Sequence, residues 1–390
     1  MKLAVIGASG AGLPFASFLL KKHPDYEVTL FDGNEKIGKK LLATGNGHCN
    51  LLNVKVCPDS YNAQDFVSPF LERFHYSDIE AALLSVGVSL MRIGDLAYPQ
   101  SYAASGYVSA LVSFISSHKG IFRLGTRVEE YKKGGNKWLL RTNHGDFAFD
   151  KLVFCSGGKS GRNLGSDGSL FPVFATHGYS LTPLKPGLCP IKVKENVASL
   201  NGIRHEALVS LLKEGRGIYK ERGEVLFKND GLSGIVIFNV EREAARKKGD
   251  AVSLDLFPDK SVEDLGKAVR ALFQSNPAFG ASFLPLPLFE YCLKGAGITD
   301  IKDLYSVERS HDFAFILKNL SFHISGLYDF CDSQVTLGGI SLSCVSSKNL
   351  ESKLEENVYF LGEVLDVDGP CGGYNLGWCL ASSLALASSL

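Results

Sequence analysis

The chain opens with the strand-like stretch Lys2-Leu-Ala-Val-Ile6, followed by the turn Gly7-Ala-Ser-Gly-Ala-Gly12. A short apolar run that ends at a glycine is typical of a buried strand. Gly12 to His23 carries apolar residues at helical spacing, and Glu27 to Phe31 reads as a second strand that ends at Asp32. A strand, a helix and a second strand in such quick succession predict a βαβ unit and therefore a parallel sheet.

The glycine-rich turn has the spacing of a dinucleotide-binding motif, with Ser9 where the middle glycine belongs and Gly10 beside it. A diphosphate needs a tight turn, backbone without obstructing side chains, and the N-terminus of a helix. Asp32 lies 20 residues beyond Gly12, where a carboxylate can accept hydrogen bonds from both ribose hydroxyls of an adenosine. We therefore predict a dinucleotide site here; the alternative is a glycine-rich turn without a ligand.

Residues 38–53 form a second stretch that is dense in glycine and in small and polar side chains. Its place just after the second strand suits a segment that runs alongside an extended cofactor. The alternative is an ordinary polar loop, because loops also concentrate Gly and Asn. Within this stretch, His48 carries an imidazole, a side chain that can be neutral or cationic. Cys49 is interpreted as a packed small hydrophobe rather than a redox thiol.

A third glycine-rich run, residues 362–377, follows the last predicted strand, Val358 to Leu361, and leads into a helix predicted from about Leu376. The start of a helix presents unpaired N–H groups and positive partial charge. A helix start of this kind would stabilise the negative charge that collects near N1 and O2 of a reduced flavin. Asp366 and Asp368 lack the spacing of an EF-hand, so we predict no metal site.

Length, charge and cysteine usage narrow the class of protein. The 390 residues suggest two or three domains. With 41 basic and 41 acidic residues the net charge is zero, which argues against a nucleic-acid partner. Nine cysteines without a C-x-x-C pair predict reduced thiols and a cytoplasmic location. No apolar run is long enough for a membrane span. The sequence leaves the oligomeric state open.

The middle of the chain changes character twice. Helices are predicted at about 63–90 and 103–118, and strands at 122–130, 137–143, 145–149 and 151–155. Proline becomes frequent at 183–190, a plausible domain crossing. Residues 191–240 look β-rich, and residues 241–310 look mainly helical and more polar.

Together these motifs resemble bacterial FAD-dependent flavoproteins known as aminoacetone-oxidase-like or as bile-acid 3-dehydro-Δ4,6-reductase-like oxidoreductases. The stretches that carry the resemblance are residues 7–12, 38–50, 164–190, 227–234, 334–340 and 362–379. They span nearly the whole chain in order. The sequence departs from the family pattern at Ser9, at Tyr179 for His, at His48 for Arg, and at Gly377 for Gln. His48 matters most among these, since it replaces a permanent cation with one that titrates.

The resemblance implies an α/β fold: a Rossmann-like FAD-binding domain of the glutathione-reductase type, with an inserted β-rich domain and a nested helical domain. The FAD-binding domain is expected to be discontinuous, over residues 1–188 and 331–390. The β-rich, barrel-like substrate domain is expected at 189–240 and 311–330, and the helical insertion at 241–310.

The resemblance and the motifs also predict which residues form the site. The FAD contacts carried over from the family are Gly7, Ala11, Gly12, Asp32, Lys39, Lys40, Asn50, Val128 (through its backbone), Gly157, Glu363 and Asn375. The further cofactor-binding positions predicted from the motifs are Ser9, Gly10, Gly45, Asn46, Gly47, His48, Cys49, Ser156, Gly158, Gly362, Asp366, Gly372, Gly373, Tyr374 and Leu376. The catalytic residue is left open, with His48, Tyr102 and Tyr374 as candidates.

The function that follows is that of an FAD-dependent oxidoreductase that moves a hydride to or from a small organic molecule, as a reductase or an oxidase. NAD(P)H is left open as a transient reductant, because the sequence holds no second dinucleotide motif. Two alternatives are a flavoprotein of the tRNA-modification type and an FAD-binding protein without turnover. No membrane and no nucleic acid are expected as partners.

Overall fold

Strands and helices alternate from the first residues of the chain, and the computed structural model describes residues 1–390. The strands are β1 (Lys2–Ile6), β2 (Glu27–Phe31), β3 (Leu52–Asn53), β4 (Leu90–Ile93), β5 (Leu96–Pro99), β6 (Ile121–Arg123), β7 (Val128–Gly134), β8 (Lys137–Thr142), β9 (Gly145–Phe149), β10 (Lys151–Phe154), β11 (Leu181–Gly187), β12 (Ile191–Val193), β13 (Arg204–Lys213), β14 (Arg216–Lys228), β15 (Gly231–Ser233), β16 (Ala251–Asp255), β17 (Leu320–Leu327), β18 (Val335–Ile340) and β19 (Val358–Phe360). The helices are α1 (Gly12–Lys22), α2 (Lys39–Ala43), α3 (Gln64–Leu71), α4 (Tyr76–Ser85), α5 (Ala104–Ser117), α6 (Phe171–Thr176), α7 (Ile235–Lys247), α8 (Val262–Ser275), α9 (Gly280–Phe283), α10 (Leu286–Gly295), α11 (Val307–Lys318) and α12 (Tyr374–Ser389).

The chain divides into two units. The first comprises Met1–Pro186 and Ser333–Leu390, and the second comprises Gly187–Asp332. Each unit has its own cluster of buried apolar side chains.

A five-stranded parallel sheet organises the first unit, in the order β19-β10-β1-β2-β6. Its central strands are almost fully buried, as expected for a parallel sheet covered on both faces. Ile6 pairs in register with Phe31 on one side and with Phe154 on the other, and Phe154 pairs with Phe360. The carboxyl ends of β2, β1, β10 and β19 therefore meet at one edge, and the predicted parallel α/β sheet is confirmed.

Two helices of the first unit, α1 and α12, pack against each other. The Ser383 hydroxyl donates to the Ala11 carbonyl at 2.8 Å, and Lys22 Nζ donates to the Ser388 carbonyl at 2.7 Å. The residues that precede the two helices, Ala11 and Gly373, offer no side-chain cap. The first amides of both helices are thus left without a capping side chain.

Three smaller sheets complete the first unit. Strands β7, β8 and β9 form an antiparallel meander, β3, β5 and β4 form a second antiparallel sheet, and β11 pairs with β18. The short β3–β5 pairing carries the segment after the 38–50 stretch, because Leu52 lies opposite Ala97.

The second unit is a closed six-stranded barrel, β12-β15-β14-β13-β16-β17, accompanied by helices α7 to α11. The long hairpin β13–β14 pairs Arg204 with Leu226 at one end and Lys213 with Arg216 at the other. Closure pairs β12 with β17, which leaves no free sheet edge.

Several predicted boundaries are wrong. The helix expected over about 63–90 is two helices, α3 and α4, and the strand expected at 122–130 is split between β6 and β7, which belong to different sheets. The mainly helical stretch 241–310 contains β16, a barrel strand between β13 and β17, while α7 already begins at Ile235. The boundaries of these strands depend on pairing with strands far away in the sequence, which local composition does not reveal.

A buried carboxyl stands out in the second unit. Glu241 of α7 is fully buried; its Oε2 accepts a hydrogen bond from the Cys189 amide at 3.4 Å, and its Oε1 has no partner. Burial raises the pKa of this carboxyl from 4.5 to about 8. The group is therefore protonated in the folded protein at neutral pH.

All nine cysteines are free thiols. None of the helices combines the length and apolar character that crossing a bilayer requires.

The turn between β1 and α1 generates a first prediction. A Cβ on Gly12 would lie 1.9 Å from the Gly7 carbonyl oxygen, whereas a Cβ on Gly10 would meet two side-chain atoms at ordinary contact distance, Leu376 Cδ2 at 3.4 Å and Cys379 Sγ at 3.6 Å. We expect Gly12→Ala to lower the free energy of unfolding by about 3 kcal/mol, because the backbone must shift to relieve the clash. Gly10→Ala, the matched control, should stay within about 0.5 kcal/mol of wild type. Urea unfolding measures both, and equal effects would contradict the tight-turn account.

Glu241 generates a second prediction. Between pH 4.5 and 8 the unfolded chain ionises this carboxyl while the folded chain keeps it protonated, so stability falls as pH rises. Glu241→Gln should remove that loss and stabilise the protein by on the order of 3 kcal/mol at pH 7. Thermal unfolding from pH 4 to 9 measures it, with the exposed Glu290→Gln as control. Parallel curves for wild type and Glu241→Gln would show that the carboxyl is ionised in the folded state.

Candidate functional site

The candidate site lies where four strands of the parallel sheet end. The residues that follow β1, β2, β10 and β19 are Gly7, Asp32, Cys155 and Leu361. In open α/β sheets this edge is where ligands bind, because loops and helix N-termini converge there. The sequence-predicted residues all belong to the first unit.

The turn between β1 and α1 is as tight as the sequence predicts. Gly7 has φ +112°, and a Cβ there would lie 2.3 Å from the Cys155 carbonyl oxygen. Within the turn, the amides of Ser9, Gly10 and Ala11 donate to no protein acceptor. Leu376 of α12 lies against Gly10, so α12 closes this side of the turn. Three amides and the positive end of α1 are therefore available to an anion.

Asp32 connects the end of β2 to this turn. Its Oδ2 accepts from the Ala8 amide at 3.0 Å, and its Oδ1 accepts from the Asn34 amide at 2.8 Å and from Asn34 Nδ2 at 3.0 Å. The carboxylate is half-buried; Oδ1 already accepts two hydrogen bonds, whereas Oδ2 accepts one and can take a further donor. The Thr126 amide donates to the Asp32 carbonyl at 2.9 Å, which brings the segment before Val128 to this point.

The stretch 38–50 runs from α2 into a loop with repeated left-handed backbone. The left-handed residues are Gly38, Gly45, Asn46, Gly47 and Cys49. Lys40 on α2 forms an ion pair with Glu363 at 2.7 Å, with about a fifth of each side chain exposed. Lys39 has no such carboxylate partner. The pair connects two predicted segments that lie 323 residues apart.

Asn50 connects the end of this stretch to the start of α12. Its side-chain amide is satisfied when the nitrogen donates to the Leu52 and Ala97 carbonyls, at 3.1 and 3.3 Å, and the oxygen accepts from the Gly373 amide at 3.2 Å. Gly373 has φ +89°, and a Cβ there would lie 2.6 Å from the Leu52 backbone. This contact explains why only glycine fits before α12.

The loop before α12 is held by its own polar groups. Asn375 accepts from the Gly369 amide and donates to the Gly369 carbonyl, both at 2.9 Å. Asp366 Oδ1 accepts from Asn62 Nδ2 at 3.1 Å. Asn375 and Asp366 therefore shape the loop from inside, and α12 begins at Tyr374, two residues before the predicted start.

The segment after β10 packs against Glu363. A Cβ on Gly158 would lie 2.3 Å from Thr336 Oγ1, and Gly157, with φ +71°, faces Glu363 Oε2 at 3.7 Å. Thr336 Oγ1 accepts from the Lys159 and Ser160 amides at 2.7 and 2.9 Å. Ser156 and Gly362 complete the edge, and a Cβ on Gly362 would be 2.9 Å from Cys379 Sγ.

The three catalytic candidates differ in their surroundings. His48 and Tyr102 stack with ring centroids 4.0 Å apart, and His48 Nδ1 lies 2.9 Å from the Tyr102 carbonyl oxygen. A carbonyl only accepts, so Nδ1 carries a proton and donates it to this hydrogen bond. Tyr102 has φ +51°, and Tyr98 packs edge-on against it. Tyr374 lies apart from this stack, with its ring beside Gly372 and its carbonyl accepting from Tyr61 Oη at 2.7 Å.

The thiols near the site are buried. Burial raises the pKa of the Cys49 thiol to about 11 and that of Cys379 to about 12. A thiol with so high a pKa is protonated at neutral pH and is a poor nucleophile. No three His, Cys, Asp or Glu side chains come together in a way that could hold a metal ion.

Sequence reasoning missed polar residues that belong to other segments. Asn34, Asn53, Asn62, Ser166 and Thr336 all reach the site or its loops. Each is a single polar residue outside a glycine-rich run, so no local pattern marks it. Val128, in contrast, was predicted as a site residue. It is the first residue of β7, which belongs to another sheet, and the contact with Asp32 is made by the nearby Thr126 amide.

The residues present fit a dinucleotide. Two uncapped helix N-termini, three unpaired amides and a ribose-type carboxylate lie at one sheet edge. In addition, the buried Ser166 hydroxyl beside Gly157 has no partner. This donor set complements a diphosphate flanked by hydroxyl-bearing sugars. The fold and the site define a dinucleotide-binding protein of the Rossmann class.

The chain belongs to the HI0933-like FAD Rossmann family: the family described as "HI0933-like protein Rossmann domain" matches residues 1–389. The resemblance inferred from the motifs is thereby confirmed. A 3-dehydro-bile acid delta(4,6)-reductase of Clostridium scindens is 29% identical over 98% of this chain and 97% of its own. The ribosomal RNA dihydrouridine synthase of Haemophilus influenzae is 28% identical over 99% and 97%.

Solved structures agree with the fold. The 3-ketosteroid delta1-dehydrogenase of Sterolibacterium denitrificans covers 99% of this chain, and 98% of its own length is matched, with a TM-score of 0.54 and 10% identity. The 3-ketosteroid-delta4-(5alpha)-dehydrogenase of Rhodococcus jostii matches with a TM-score of 0.50 and 13% identity, over 99% and 96%. At this identity the likeness confirms the predicted fold class and nothing further.

Proposed function

We propose that this protein is an FAD-dependent oxidoreductase that acts on a small organic molecule. The observation that carries the proposal is the convergence of two uncapped helix N-termini, from α1 and α12, at the edge that also holds Asp32. One helix start suits a diphosphate and the other suits the charge that develops on a flavin ring. When bound, FAD supplies hydride transfer, which no side chain can perform.

The chain's own residues would hold the cofactor along this edge. The amides of Ser9 to Ala11 would meet the diphosphate, and Asp32 would accept from the adenosine ribose. Asn50 orients the amide of Gly373, so that the first turn of α12 keeps its N–H groups directed into the site. The Lys40–Glu363 pair neutralises the half-buried carboxylate that borders Gly157.

The substrate class is proposed from the relatives. The Clostridium scindens relative is named as a reductase of a 3-dehydro-bile acid, and it aligns over nearly the full length of both chains. The leading proposal is therefore an unsaturated small molecule that is reduced at the flavin, with an amine-bearing molecule that is oxidised there as the other possibility. NAD(P)H would then reach the flavin directly, because the sequence has one dinucleotide motif. The thiol content favours the cytoplasm.

RNA is the second candidate substrate, because the Haemophilus influenzae relative has nearly the same identity. Against it stand the zero net charge and the pairing of exposed arginines with acids, as in Arg204–Glu224 and Arg222–Asp259. Salt-dependent retention of ribosomal RNA by the purified protein would favour this candidate. If NAD(P)H reduced the bound flavin completely but no substrate reoxidised it, an FAD-binding protein without turnover would be favoured instead.

Cofactor identity is a direct prediction. The purified protein should be yellow and should release FAD, not FMN, on denaturation, because Asp32 serves an adenosine ribose. Asp32→Asn should weaken FAD binding by about 1.5–3 kcal/mol through loss of charge-assisted hydrogen bonds. Chromatography and equilibrium titration measure these results. The exposed neighbour Glu35→Gln is the control and should bind like wild type; release of FMN would contradict the proposal.

His48 yields a prediction about pH. If its imidazolium lies near the flavin, the midpoint potential should rise more steeply with falling pH than the flavin's own proton dependence requires, because a cation stabilises the reduced, anionic ring. His48→Arg should remove this extra slope while keeping a high potential, and His48→Gln should remove it at a lower potential. Redox titrations from pH 5.5 to 8.5 measure this.

The exposed His144→Gln is the control for His48 and should follow wild type. Superimposable curves for wild type, His48→Arg and His48→Gln would leave His48 a purely structural role in holding Tyr102.

A further inference from the structure

The loop of residues 161–169 bridges the two ends of the candidate site. At one end, the Leu164 carbonyl accepts from Asn34 Nδ2 at 3.4 Å, next to Asp32. Gly165 has φ +96°, and a Cβ there would lie 2.0 Å from Asn34 Nδ2. At the other end, Ser166 reaches Gly157, which also faces Glu363. The loop therefore spans the distance from the ribose carboxylate to the end of β10.

The loop is held in place by its own contacts. Asp167 Oδ2 pairs with Arg127 Nη1 at 2.7 Å, and Asp167 Oδ1 accepts from the Ser169 amide at 2.9 Å. The Ser166 amide donates to the Gly161 carbonyl at 3.3 Å. Asp167 is thus occupied in fixing the loop, and the position of Ser166 does not depend on a ligand.

The position of the Ser166 hydroxyl is not explained by any hydrogen bond within the protein. The residue is 6% exposed, and its Oγ is buried without a hydrogen-bond partner. The Oγ lies 3.3 Å from the position that a Cβ on Gly157 would occupy, and Glu363 Oε2 lies 3.7 Å from the same position. A buried hydroxyl without a partner costs about 1–3 kcal/mol, so such groups in native proteins point to a missing partner.

We propose that Ser166 is a cofactor-binding residue whose hydroxyl hydrogen-bonds an oxygen of the ribityl–diphosphate part of FAD. The inference rests on the proposed function and extends it to a segment outside the glycine-rich motifs. Ser166 lies between Asp32, assigned to the adenosine ribose, and the Lys40–Glu363 pair, beside Gly157. A hydroxyl both donates and accepts, so it can serve a phosphate oxygen or a ribityl hydroxyl.

The test separates a ligand role from a structural role in the apoprotein. Ser166→Ala removes an unpartnered polar group, so the thermal midpoint of the apoprotein should stay the same or rise. FAD binding to the same apoprotein should weaken roughly 5- to 20-fold, as expected for one lost hydrogen bond. Flavin fluorescence quenching during titration with FAD measures the dissociation constant without relying on turnover.

Two serines provide matched controls. Ser116→Ala, at an exposed position of α5, should change neither quantity. Ser160→Ala should lower the thermal midpoint with little change in FAD affinity, because its hydroxyl contacts Ser333 Oγ at 2.7 Å and the Val335 carbonyl at 2.6 Å.

An unchanged FAD affinity in Ser166→Ala would overturn the inference, and so would a fall in apoprotein stability like that of Ser160→Ala. Failure of the wild-type protein to bind FAD at all would contradict the proposed function itself, which keeps the two failures distinguishable.

Discussion

The contact between Gly12 and the Gly7 carbonyl is the constraint on which the site depends. A Cβ on Gly12 would lie 1.9 Å from that oxygen, and one on Gly7 would lie 2.3 Å from the Cys155 carbonyl. Because Gly7 and Gly12 have no side chains, β1, α1 and the end of β10 can pack closely together. The first amides of α1 are then directed over the edge of the sheet, without a cap to satisfy them.

The remainder of the site is assembled by polar contacts between segments that are far apart in the chain. Lys40 reaches Glu363, Asn50 reaches Gly373, and Thr336 reaches the amides after Gly158. Because each contact satisfies a buried or half-buried group, loss of one partner leaves the other unpaired, at a cost of about 1–3 kcal/mol. The glycine-rich segments thus acquire fixed positions although they contain little regular structure. That rigidity is what a binding site for an extended ligand requires.

The sequence predicts those parts of this arrangement that have a local signature. The first strand, helix and strand, the aspartate at the end of β2 and the glycine-rich run before α12 follow from periodicity and glycine spacing, and the structure has them. The family assignment follows from the order of the motifs along the chain. In contrast, β16 was hidden in a polar stretch, because its partners β13 and β17 lie far from it in sequence. The sequence also could not predict that His48 stacks on Tyr102 or that Ser166 lies beside Gly157, since both depend on tertiary contacts.

We propose that FAD lies along the edge formed by the ends of β1, β2, β10 and β19. Hydrogen–deuterium exchange of the apoprotein with and without added FAD tests this placement, because backbone amides are the proposed ligands. We expect slower exchange on FAD binding in the turn at 7–12, in the stretch 38–50, in the loop at 161–169 and at the start of α12. Protection confined to residues 187–332, with unchanged exchange at 7–12, would contradict it.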